Sequence, residues 1–338
     1  MSIPSRNSHE CKWLVIVNPN AGRKKGIRDW EEISSLLSKY RIRHHAVFTE
    51  RPEHAIHLSR THIEEGFRYI IVVGGDGTMN EVVNGVIQQK ACESTEITLG
   101  MITVGTGNDW GRMFGIPSNY REAIRTLLRN NTFIQDAGMV KYLNDSNTES
   151  RYFVNIAGLG FDAEVARKSN RQKEKGRGGS LLYIVNILTS LINYKHVNAL
   201  ISVDGLDIEN KIFSMNVGIC KYSGGGMIQV PNAIPDDGLF DMTVINRMRK
   251  TKIIRSLKRL YDGTITEHPK VDSYTGKSIR VESSDKIRLE TDGETLGHTP
   301  IEFTIIPKSV KIITGLLPDQ KSPVNRTSKR MGQYFPVT

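Results

Sequence analysis

The sequence predicts a fold of class α/β plus β, with an N-terminal doubly wound α/β domain and a C-terminal antiparallel β-sandwich domain. Three observations lead to this prediction. Apolar runs alternate with helical patterns over the first third of the chain. Glycine-containing polar segments follow several of these runs, and short alternating runs crowd together after Phe133. The change in pattern near Phe133 therefore separates two domains.

The first part of the chain contains four apolar runs that are typical of parallel strands. They lie at residues 13–17, 45–48, 70–73 and 97–104. Helical patterns lie at 30–40, 55–65 and 120–129, and another starts at Thr78, the expected N-cap. The run at 70–73 is apolar without alternation, as expected for a strand buried on both faces. Strands that alternate with helices predict a parallel sheet that binds ligands at the carboxyl ends of its strands.

The second part of the chain is dense in short alternating runs, which predict an antiparallel sandwich. We expect strands at residues 133–140, 152–156, 199–203, 212–218, 239–245, 278–281, 286–290, 301–306 and 310–313. Helical patterns lie at 181–194 and 251–261. The predicted domains are therefore 1–132, to which the final strand near 310–317 could be added, and 133–317. Residues 318–338 have no period and are expected to form a loose basic tail.

Composition limits the class of protein. The chain has 338 residues, 38% of them hydrophobic, and three widely spaced cysteines, so a disulfide framework is not expected. A secretory signal and a membrane-spanning helix are not expected either. The net charge of +10 suits nucleic acid, an anionic membrane surface or a phosphorylated ligand. No nucleic-acid-binding signature favours the first of these.

Three glycine-containing polar loops follow predicted strands of the first domain. They are NPNAG at 18–22, GGDGT at 74–78 and GTGND at 105–109. Glycines let another group approach the backbone, and free N–H groups at a helix start favour an anion. Asp76 would repel a phosphate there unless a divalent cation lay between them. Although the chain has neither a P-loop nor G-x-G-x-x-G spacing, the three loops together predict one nucleotide–magnesium site.

These loops resemble the diacylglycerol kinase catalytic family of soluble lipid kinases, which includes bacterial diacylglycerol kinases and the sphingosine and ceramide kinases. Arg112, NIAGLGFDAEV at 155–165, IPDDGLF at 234–240 and Asp292-Gly293-Glu294 extend the resemblance to most of the chain. NAD kinases and phosphofructokinases also carry GGDGT-like motifs, whereas the GTGND and Asp-Gly-Glu motifs separate the lipid kinases from both. The resemblance implies an N-terminal domain that binds ATP and a C-terminal sandwich that holds a lipid.

The resemblance implies an ATP- and Mg²⁺-dependent enzyme that transfers the γ-phosphoryl group to the hydroxyl of a lipid alcohol. The default acceptor is diacylglycerol, giving phosphatidic acid for phospholipid synthesis. A sphingoid base or another lipid alcohol stays open, and an NAD kinase is the less favoured alternative. A basic, non-catalytic nucleotide- or nucleic-acid-binding protein is the alternative from another class. The presence of Asp76, Asp109 and Glu294 together argues against it.

Site residues follow from the same resemblance. It implies that Asp76 holds the ATP-bound magnesium, and that Glu294 is the general base with Asp76 as its rival. Arg23, Lys24 and Lys25 could also reach phosphate oxygens. The expected nucleotide-binding residues are Asn18, Pro19, Asn20, Ala21, Gly22, Thr49, Gly74, Gly75, Asp76, Gly77, Thr78, Asn80, Glu81, Thr106, Asn108 and Asp109.

A second metal site and a membrane contact complete the expectations. The IPDDGLF match implies a structural Mg²⁺ held by the Asp237 carboxylate and the backbone carbonyls of Ile234 and Leu239. The basic segment 167–177 and the apolar helix after it suit docking on anionic lipid. We therefore expect a cytoplasmic protein that associates peripherally with the inner face of the membrane. No nucleic-acid partner is expected, and a homodimer stays open.

Overall fold

The structure is a computed structural model that describes residues 12–174 and 180–315. These residues divide into two compact units. The first unit holds residues 12–135 and 308–315, and the second holds residues 136–174 and 180–307. The final strand, Glu294–Ile313, therefore contributes residues to both units. The expected tail at 318–338 lies outside the described residues.

The described elements are numbered in chain order. The helices are α1 (Ala21–Arg28), α2 (Trp30–Lys39), α3 (His54–Glu64), α4 (Asp76–Gln88), α5 (Asp109–Met113), α6 (Tyr120–Arg129), α7 (Phe161–Glu174), α8 (Ser180–Asn193) and α9 (Lys250–Asp262). The strands are β1 (Trp13–Val17), β2 (His44–Phe48), β3 (Tyr69–Gly74), β4 (Thr98–Thr103), β5 (Thr132–Asn144), β6 (Asn147–Phe153), β7 (Ile156–Gly160), β8 (Val197–Val203), β9 (Leu206–Gly218), β10 (Tyr222–Ser223), β11 (Met227–Ile228), β12 (Phe240–Asn246), β13 (Val271–Gly276), β14 (Ser278–Glu282), β15 (Arg288–Thr291) and β16 (Glu294–Ile313).

The first unit is built on a parallel sheet with strand order β2-β1-β3-β4-β16. Every residue of β1 and β4 is buried, because helices cover both faces of the sheet. This explains why the sequence of β1, WLVIV, is apolar without alternation. Helices α2 and α6 contribute Ile33, Leu37, Ile124 and Leu127 to the core on one face. The parallel strands bring the NPNAG, GGDGT and GTGND loops to one edge of the sheet, as predicted.

The second unit is an antiparallel β structure. Its main strand order is β13-β12-β9-β7-β15-β16. Outside this order, β14 pairs with both β16 and β8, and β5 pairs with both β6 and β16. Helices α7, α8 and α9 pack on it through an apolar cluster that includes Phe161, Ile187, Leu191, Phe213 and Ile253. No helix in residues 12–174 and 180–315 is long and apolar enough to cross a membrane.

Three local predictions differ from the structure. The N-cap of α4 is Gly75 and not Thr78, so Thr78 lies within the first turn. The expected strand at 152–156 is two strands, and β7 runs directly into α7, which was not predicted and which contains residues 167–174 of the basic segment. The remaining residues of that segment, 175–177, lie outside the described residues. The strands expected at 301–306 and 310–313 are one strand, β16, which continues through a left-handed Lys308 with φ of 46°. Strand β13 was not predicted.

Candidate active site

The loop after β1 folds tightly against the end of β4. Gly22, Arg23 and Lys24 adopt left-handed backbone angles, which interrupt α1 with a kink. A Cβ on Gly22 would lie 1.9 Å from the carbonyl oxygen of Val104. Only glycine fits such an approach. The NPNAG loop is therefore held against the residue that precedes the GTGND loop.

The GGDGT and GTGND loops also touch each other. A Cβ on Gly105 would lie 2.7 Å from the Cα of Gly75, so two glycines allow the two backbones to meet. The side-chain amide of Asn18 donates a 3.0 Å hydrogen bond to Thr78 Oγ1, which links the first loop to the second. The structure thus brings together all three loops that the sequence singled out.

Asp76 connects the two later loops. Its Oδ2 accepts a hydrogen bond of 3.1 Å from the N–H of Asp109, and its Oδ1 accepts one of 3.0 Å from the N–H of Trp110. These amides begin α5, where the unpaired N–H groups of a helix start attract a carboxylate. The acid of GGDGT therefore caps the helix that follows GTGND, a structural role that the sequence did not indicate.

Two carboxylates converge above Gly107. A Cβ on Gly107 would lie 3.1 Å from Asp109 Oδ2 and 3.3 Å from Asp76 Oδ2, so both oxygens face the small space that the glycine leaves. On its other oxygen, Asp109 pairs with Arg112 at 3.9 Å. Magnesium takes oxygen ligands and is commonly bound by one or two carboxylates together with water and phosphate oxygens. The residues present therefore fit a magnesium ion at this point.

Two predicted nucleotide contacts have structural roles within the first unit. Glu81 accepts hydrogen bonds of 3.0 Å from the N–H groups of Glu53 and Ala55, and so caps the start of α3. Asn80 is buried, and its side-chain oxygen accepts a 3.1 Å hydrogen bond from Asn84. The assignment of Asn80 and Glu81 to the nucleotide stays a prediction.

The other predicted residues lie around the same sheet edge. Thr49 is buried after β2, where its N–H donates to the carbonyl of Val17 at 2.9 Å. Thr106 is exposed, and Lys25 lies 4.0 Å from Asp29, where its charge is partly neutralised. The loop positions Pro19, Asn20, Ala21, Arg23, Lys24, Gly74, Gly77 and Asn108 complete the set.

In the second unit, Asp292 and Gly293 form the hairpin between β15 and β16. Their φ angles of 49° and 86° are typical of the Asp-Gly turn that the sequence suggested. The Asp292 carboxylate accepts hydrogen bonds of 3.0 to 3.1 Å from the N–H groups of Val154, Asn155 and Ile156. The hairpin is therefore tied firmly to the start of β7.

Two further side chains hold the same hairpin. Glu290 Oε2 accepts a 2.9 Å hydrogen bond from the N–H of Gly293, and Asn170 of α7 donates one of 2.9 Å to the Gly293 carbonyl. Glu294 follows directly, and its Oε2 lies 2.7 Å from Nη2 of Arg151. The guanidinium favours an ionised Glu294 and fixes its direction. A fixed, partly exposed carboxylate can accept a proton, as the predicted base must.

The predicted structural metal site is an acidic turn. Oδ1 of Asp237 accepts a 3.0 Å hydrogen bond from the N–H of Leu239, and the N–H of Gly238 donates to Oδ2 of the buried Asp136 at 2.7 Å. Across the two described ranges, no cluster of three or more His, Cys, Asp or Glu side chains could hold a metal. The predicted ligand set has only one such side chain, Asp237, together with the backbone carbonyls of Ile234 and Leu239. A search for clusters of three therefore does not test it, and this ligand set stays a prediction.

Sequence reasoning missed Arg151, Asp136 and Glu290. Asp136 carried a signal, because it is an acid inside the apolar run at 133–140, where a buried charge needs a partner. Arg151 lies next to a predicted strand and belongs to no motif, so nothing in the sequence linked it to Glu294.

Comparison with known proteins agrees with this geometry. Residues 12–140 match the family model described as diacylglycerol kinase catalytic domain, and residues 155–314 match the YegS C-terminal NAD kinase beta sandwich-like domain. The chain is 30% identical over 312 residues to "Putative lipid kinase YtlR" of Bacillus subtilis (strain 168), covering 89% of this chain and 99% of that protein. It is 27% identical over 300 residues to a diacylglycerol kinase of Staphylococcus carnosus (strain TM300), covering 89% and 94%.

Solved structures of kinases are also similar to this chain. The crystal structure titled "a putative diacylglycerol kinase from Bacillus anthracis str. Sterne" matches with a TM-score of 0.71 and 26% identity, covering 91% of this chain and 98% of that chain. Yeast NADH kinase matches with a TM-score of 0.51 at 14% identity, covering 97% and 95%, which shows a shared fold alone.

The family model and the relatives identify a kinase, a phosphotransferase that has an alcohol group as its acceptor. The chain belongs to the diacylglycerol kinase catalytic family. This family implies ATP as the phosphate donor.

Proposed function

We propose that this protein is an ATP- and magnesium-dependent lipid kinase that phosphorylates the hydroxyl of a lipid alcohol, with diacylglycerol as the default acceptor and phosphatidic acid as the product. The observation that carries the proposal is the pair of carboxylate oxygens, from Asp76 and Asp109, that face one space above Gly107 among three glycine-rich loops. The names of the relatives support the lipid acceptor.

The first unit would bind and orient the nucleotide. Mg²⁺, when bound, supplies charge neutralisation at the phosphates, and Asp76 and Asp109 would hold it. Backbone N–H groups of the glycine loops would contact phosphate oxygens. Thr78 Oγ1 accepts a hydrogen bond from the Asn18 amide, so its own hydroxyl proton would be the one to donate to a phosphate oxygen.

Glu294 would act on the acceptor. As the acceptor oxygen forms its bond to the γ-phosphorus, the bond from that phosphorus to the β,γ-bridging oxygen breaks and ADP leaves. The hydroxyl proton passes to the Glu294 carboxylate. Arg151 keeps that carboxylate ionised and in one orientation before the transfer. A sphingoid base is the alternative acceptor, and NAD is less favoured because of the Asp-Gly-Glu hairpin.

The acceptor would be reached at a membrane surface. Helix α8 contains no charged residue, and it exposes Val185, Leu188 and Ile192, the last at 66%. Nζ of Lys250 donates a hydrogen bond to the carbonyl of Ile192, so the basic start of α9 lies beside this apolar stripe. An apolar stripe with cations beside it suits an anionic bilayer. We therefore propose a cytoplasmic protein that associates peripherally with the inner face of the membrane.

The test is a transfer assay with γ-labelled ATP and magnesium. Mixed micelles carry diacylglycerol, a monoacylglycerol or a sphingoid base, and NAD is assayed in parallel. We expect label in lipid, and Glu294→Gln should bind ATP normally but lose most turnover. Label on NAD alone would overturn the proposal, and near-normal turnover by Glu294→Gln would move the base to another residue.

A further inference from the structure

Five exposed basic side chains lie where α8 ends and α9 begins. They are Lys195, Lys211 of β9, Arg247, Arg249 and Lys250. None of these side chains forms an ion pair with a carboxylate in residues 12–174 and 180–315. Arg259, farther along α9, is different, because it pairs with Glu267 at 3.5 Å. The charge of the five side chains is therefore available to a partner outside the chain.

Three of these cations surround His196. The N–H of Met248 donates to Nε2 of His196 at 3.4 Å, and the N–H of Arg247 donates to the carbonyl of Lys211 at 2.8 Å. Burial is the main cause that lowers the pKa of His196, and the charges of Arg247, Lys211 and Lys250 lower it further. The positive charge of these three side chains, the basic cluster, is therefore concentrated around one ring.

The basic cluster adjoins the exposed apolar stripe of α8. Val185, Leu188 and Ile192 are 43%, 40% and 66% exposed, and their spacing of three and four residues places them on one face of the helix. Nζ of Lys250 donates a hydrogen bond to the carbonyl of Ile192, in the last turn of α8. The end of the stripe and the basic cluster are therefore in direct contact.

Helix α9 extends the same combination of apolar and basic side chains. Lys250, Ile254, Lys258 and Tyr261 are spaced by four, four and three residues, so they share one face of the helix. Ile254 is 47% exposed and Tyr261 is 49% exposed, whereas Ile253 is 6% exposed and packs into the core of the second unit. The outer face of α9 thus alternates cations with apolar side chains.

We propose that the basic cluster, together with the exposed faces of α8 and α9, docks on a lipid bilayer and binds the anionic head groups of its lipids. This inference rests on the proposed function and refines it, because it names the docking surface and the lipid charge that the surface recognises. A bilayer presents anionic head groups next to an apolar layer, and so matches both parts of the surface. A nucleic acid would match the cations but would leave Ile192, Ile254 and Tyr261 without an apolar partner.

Helix α7 connects this docking surface to the Glu294 hairpin. Nδ2 of Asn186, a buried residue of α8, donates a 3.0 Å hydrogen bond to Oγ of Ser169 on α7. One residue further along α7, Asn170 donates to the carbonyl of Gly293 at 2.9 Å. The docking surface and the hairpin that carries Glu294 are therefore held by one helix of the second unit.

The test measures flotation with vesicles of phosphatidylcholine, either alone or mixed with phosphatidylglycerol. A variant that combines Lys211→Gln, Arg247→Gln and Lys250→Gln should bind the mixed vesicles about 100-fold more weakly, because each Lys or Arg near an anionic surface contributes about fivefold. Binding to phosphatidylcholine alone should not change. High salt should bring the wild type close to the variant, since salt screens these exposed charges.

A second triple variant controls for net charge. Lys39→Gln, Arg43→Gln and Lys90→Gln remove the same number of charges from exposed positions of the first unit, so this protein should bind the mixed vesicles as the wild type does. Thermal unfolding in one cooperative transition shows that each triple variant is folded. If the first triple variant does not fold, Lys211→Gln alone should bind about fivefold more weakly.

Equal losses in the two triple variants would overturn the inference, because net charge alone would then explain them. Equal binding of the wild type to neutral and anionic vesicles would overturn it too. So would binding to duplex DNA that is tighter than binding to anionic vesicles and that the first triple variant loses. Failure of the proposed function is recognised separately, because labelled ATP would then give no labelled lipid while vesicle binding could still be measured.

Discussion

Arg151 and Glu294 form a 2.7 Å ion pair in which the arginine side chain is 7% exposed and the glutamate side chain 30%. Because Arg151 is the more buried of the two side chains, it holds the more exposed Glu294 side chain in place. The pair joins β6 to the start of β16 within the second unit. Arg151 therefore fixes the direction of the Glu294 carboxylate, as the proposed role of Glu294 as the base requires.

Replacing this arginine should impair the chemical step. Arg151→Gln keeps donor groups but removes the charge, so we expect kcat to fall at least about tenfold with the KM for ATP unchanged. Arg288→Gln is the control, since Arg288 forms a 2.8 Å pair with Glu164. Equal losses in both variants would contradict a special role for Arg151.

Asp109 should determine the magnesium requirement. Asp109→Asn preserves shape but removes one of two charges above Gly107, so half-maximal activity should need severalfold more Mg²⁺ at fixed ATP. Asp76→Asn should raise the requirement too, and should also lower the Tm, because Asp76 caps α5. An unchanged Mg²⁺ titration in both variants would place the ion elsewhere.

Gly22 should tolerate no side chain. Gly22→Ala adds a Cβ 1.9 Å from the Val104 carbonyl at a φ of +60°, so we expect a loss of about 2 kcal/mol or more in the free energy of unfolding. Gly205→Ala has a comparable φ of +87° with open space around it, and should lose only about 1 kcal/mol. Denaturant unfolding of both proteins measures the difference, and equal losses would show that the contact with Val104 is unimportant.

Asp162 should make stability fall as pH rises. Burial raises its pKa in the folded state, so the folded protein holds a proton that the unfolded chain releases, and stability is lost as pH rises through the folded pKa. Asp162→Asn removes this dependence, so its Tm relative to wild type should increase from pH 5 to pH 8. Asp262→Asn is the control: hydrogen bonds from Thr264 lower the pKa of Asp262, so this carboxyl is ionised in both the folded and the unfolded state from pH 5 to pH 8, and the Tm of the variant relative to wild type should stay constant over that range. Parallel Tm–pH curves for wild type and Asp162→Asn would refute the prediction.

The exposed stripe of α8 should control membrane contact. Ile192→Glu places a charge where Ile192 is 66% exposed, and we expect about tenfold weaker sedimentation with vesicles that contain anionic lipid. Leu206→Glu changes another apolar residue, 50% exposed, on the β8–β9 hairpin, and should have little effect. Higher salt should weaken binding of the wild type. Equal sedimentation of the two variants would exclude α8 as the contact.

The three glycine-containing loops could be predicted because their information is local. An apolar run followed by glycine and a polar residue indicates both a buried strand and the loop at its end, and parallel pairing then brings such loops together. The sequence predicted this meeting of NPNAG, GGDGT and GTGND. It did not predict that Asp76 caps α5, because this depends on how two loops pack, and it assigned the N-cap of α4 to Thr78 where Gly75 occupies that place.

The acceptor side could not be predicted in the same way. Arg151 meets Glu294 across 143 positions of sequence, and Asn216 meets Glu290 only because β7 lies between their strands. These contacts depend on the register of the antiparallel strands, and no short sequence motif encodes that register. The Asp292-Gly293 turn was visible in the sequence, whereas the residues that hold it were not.

The shared final strand has a consequence for protein synthesis. Residues Lys311 and Ile312 of β16 pair with β4, and Thr314 donates to the Asn131 carbonyl, so the first unit is completed by residues that follow the whole second unit in the chain. While the ribosome is still making the second unit, the edge of β4 has no neighbour and can pair with other chains. Residues 308–315, which are made after residues 136–307, close that edge, so a translation product that ends before them would be exposed to aggregation through its first unit.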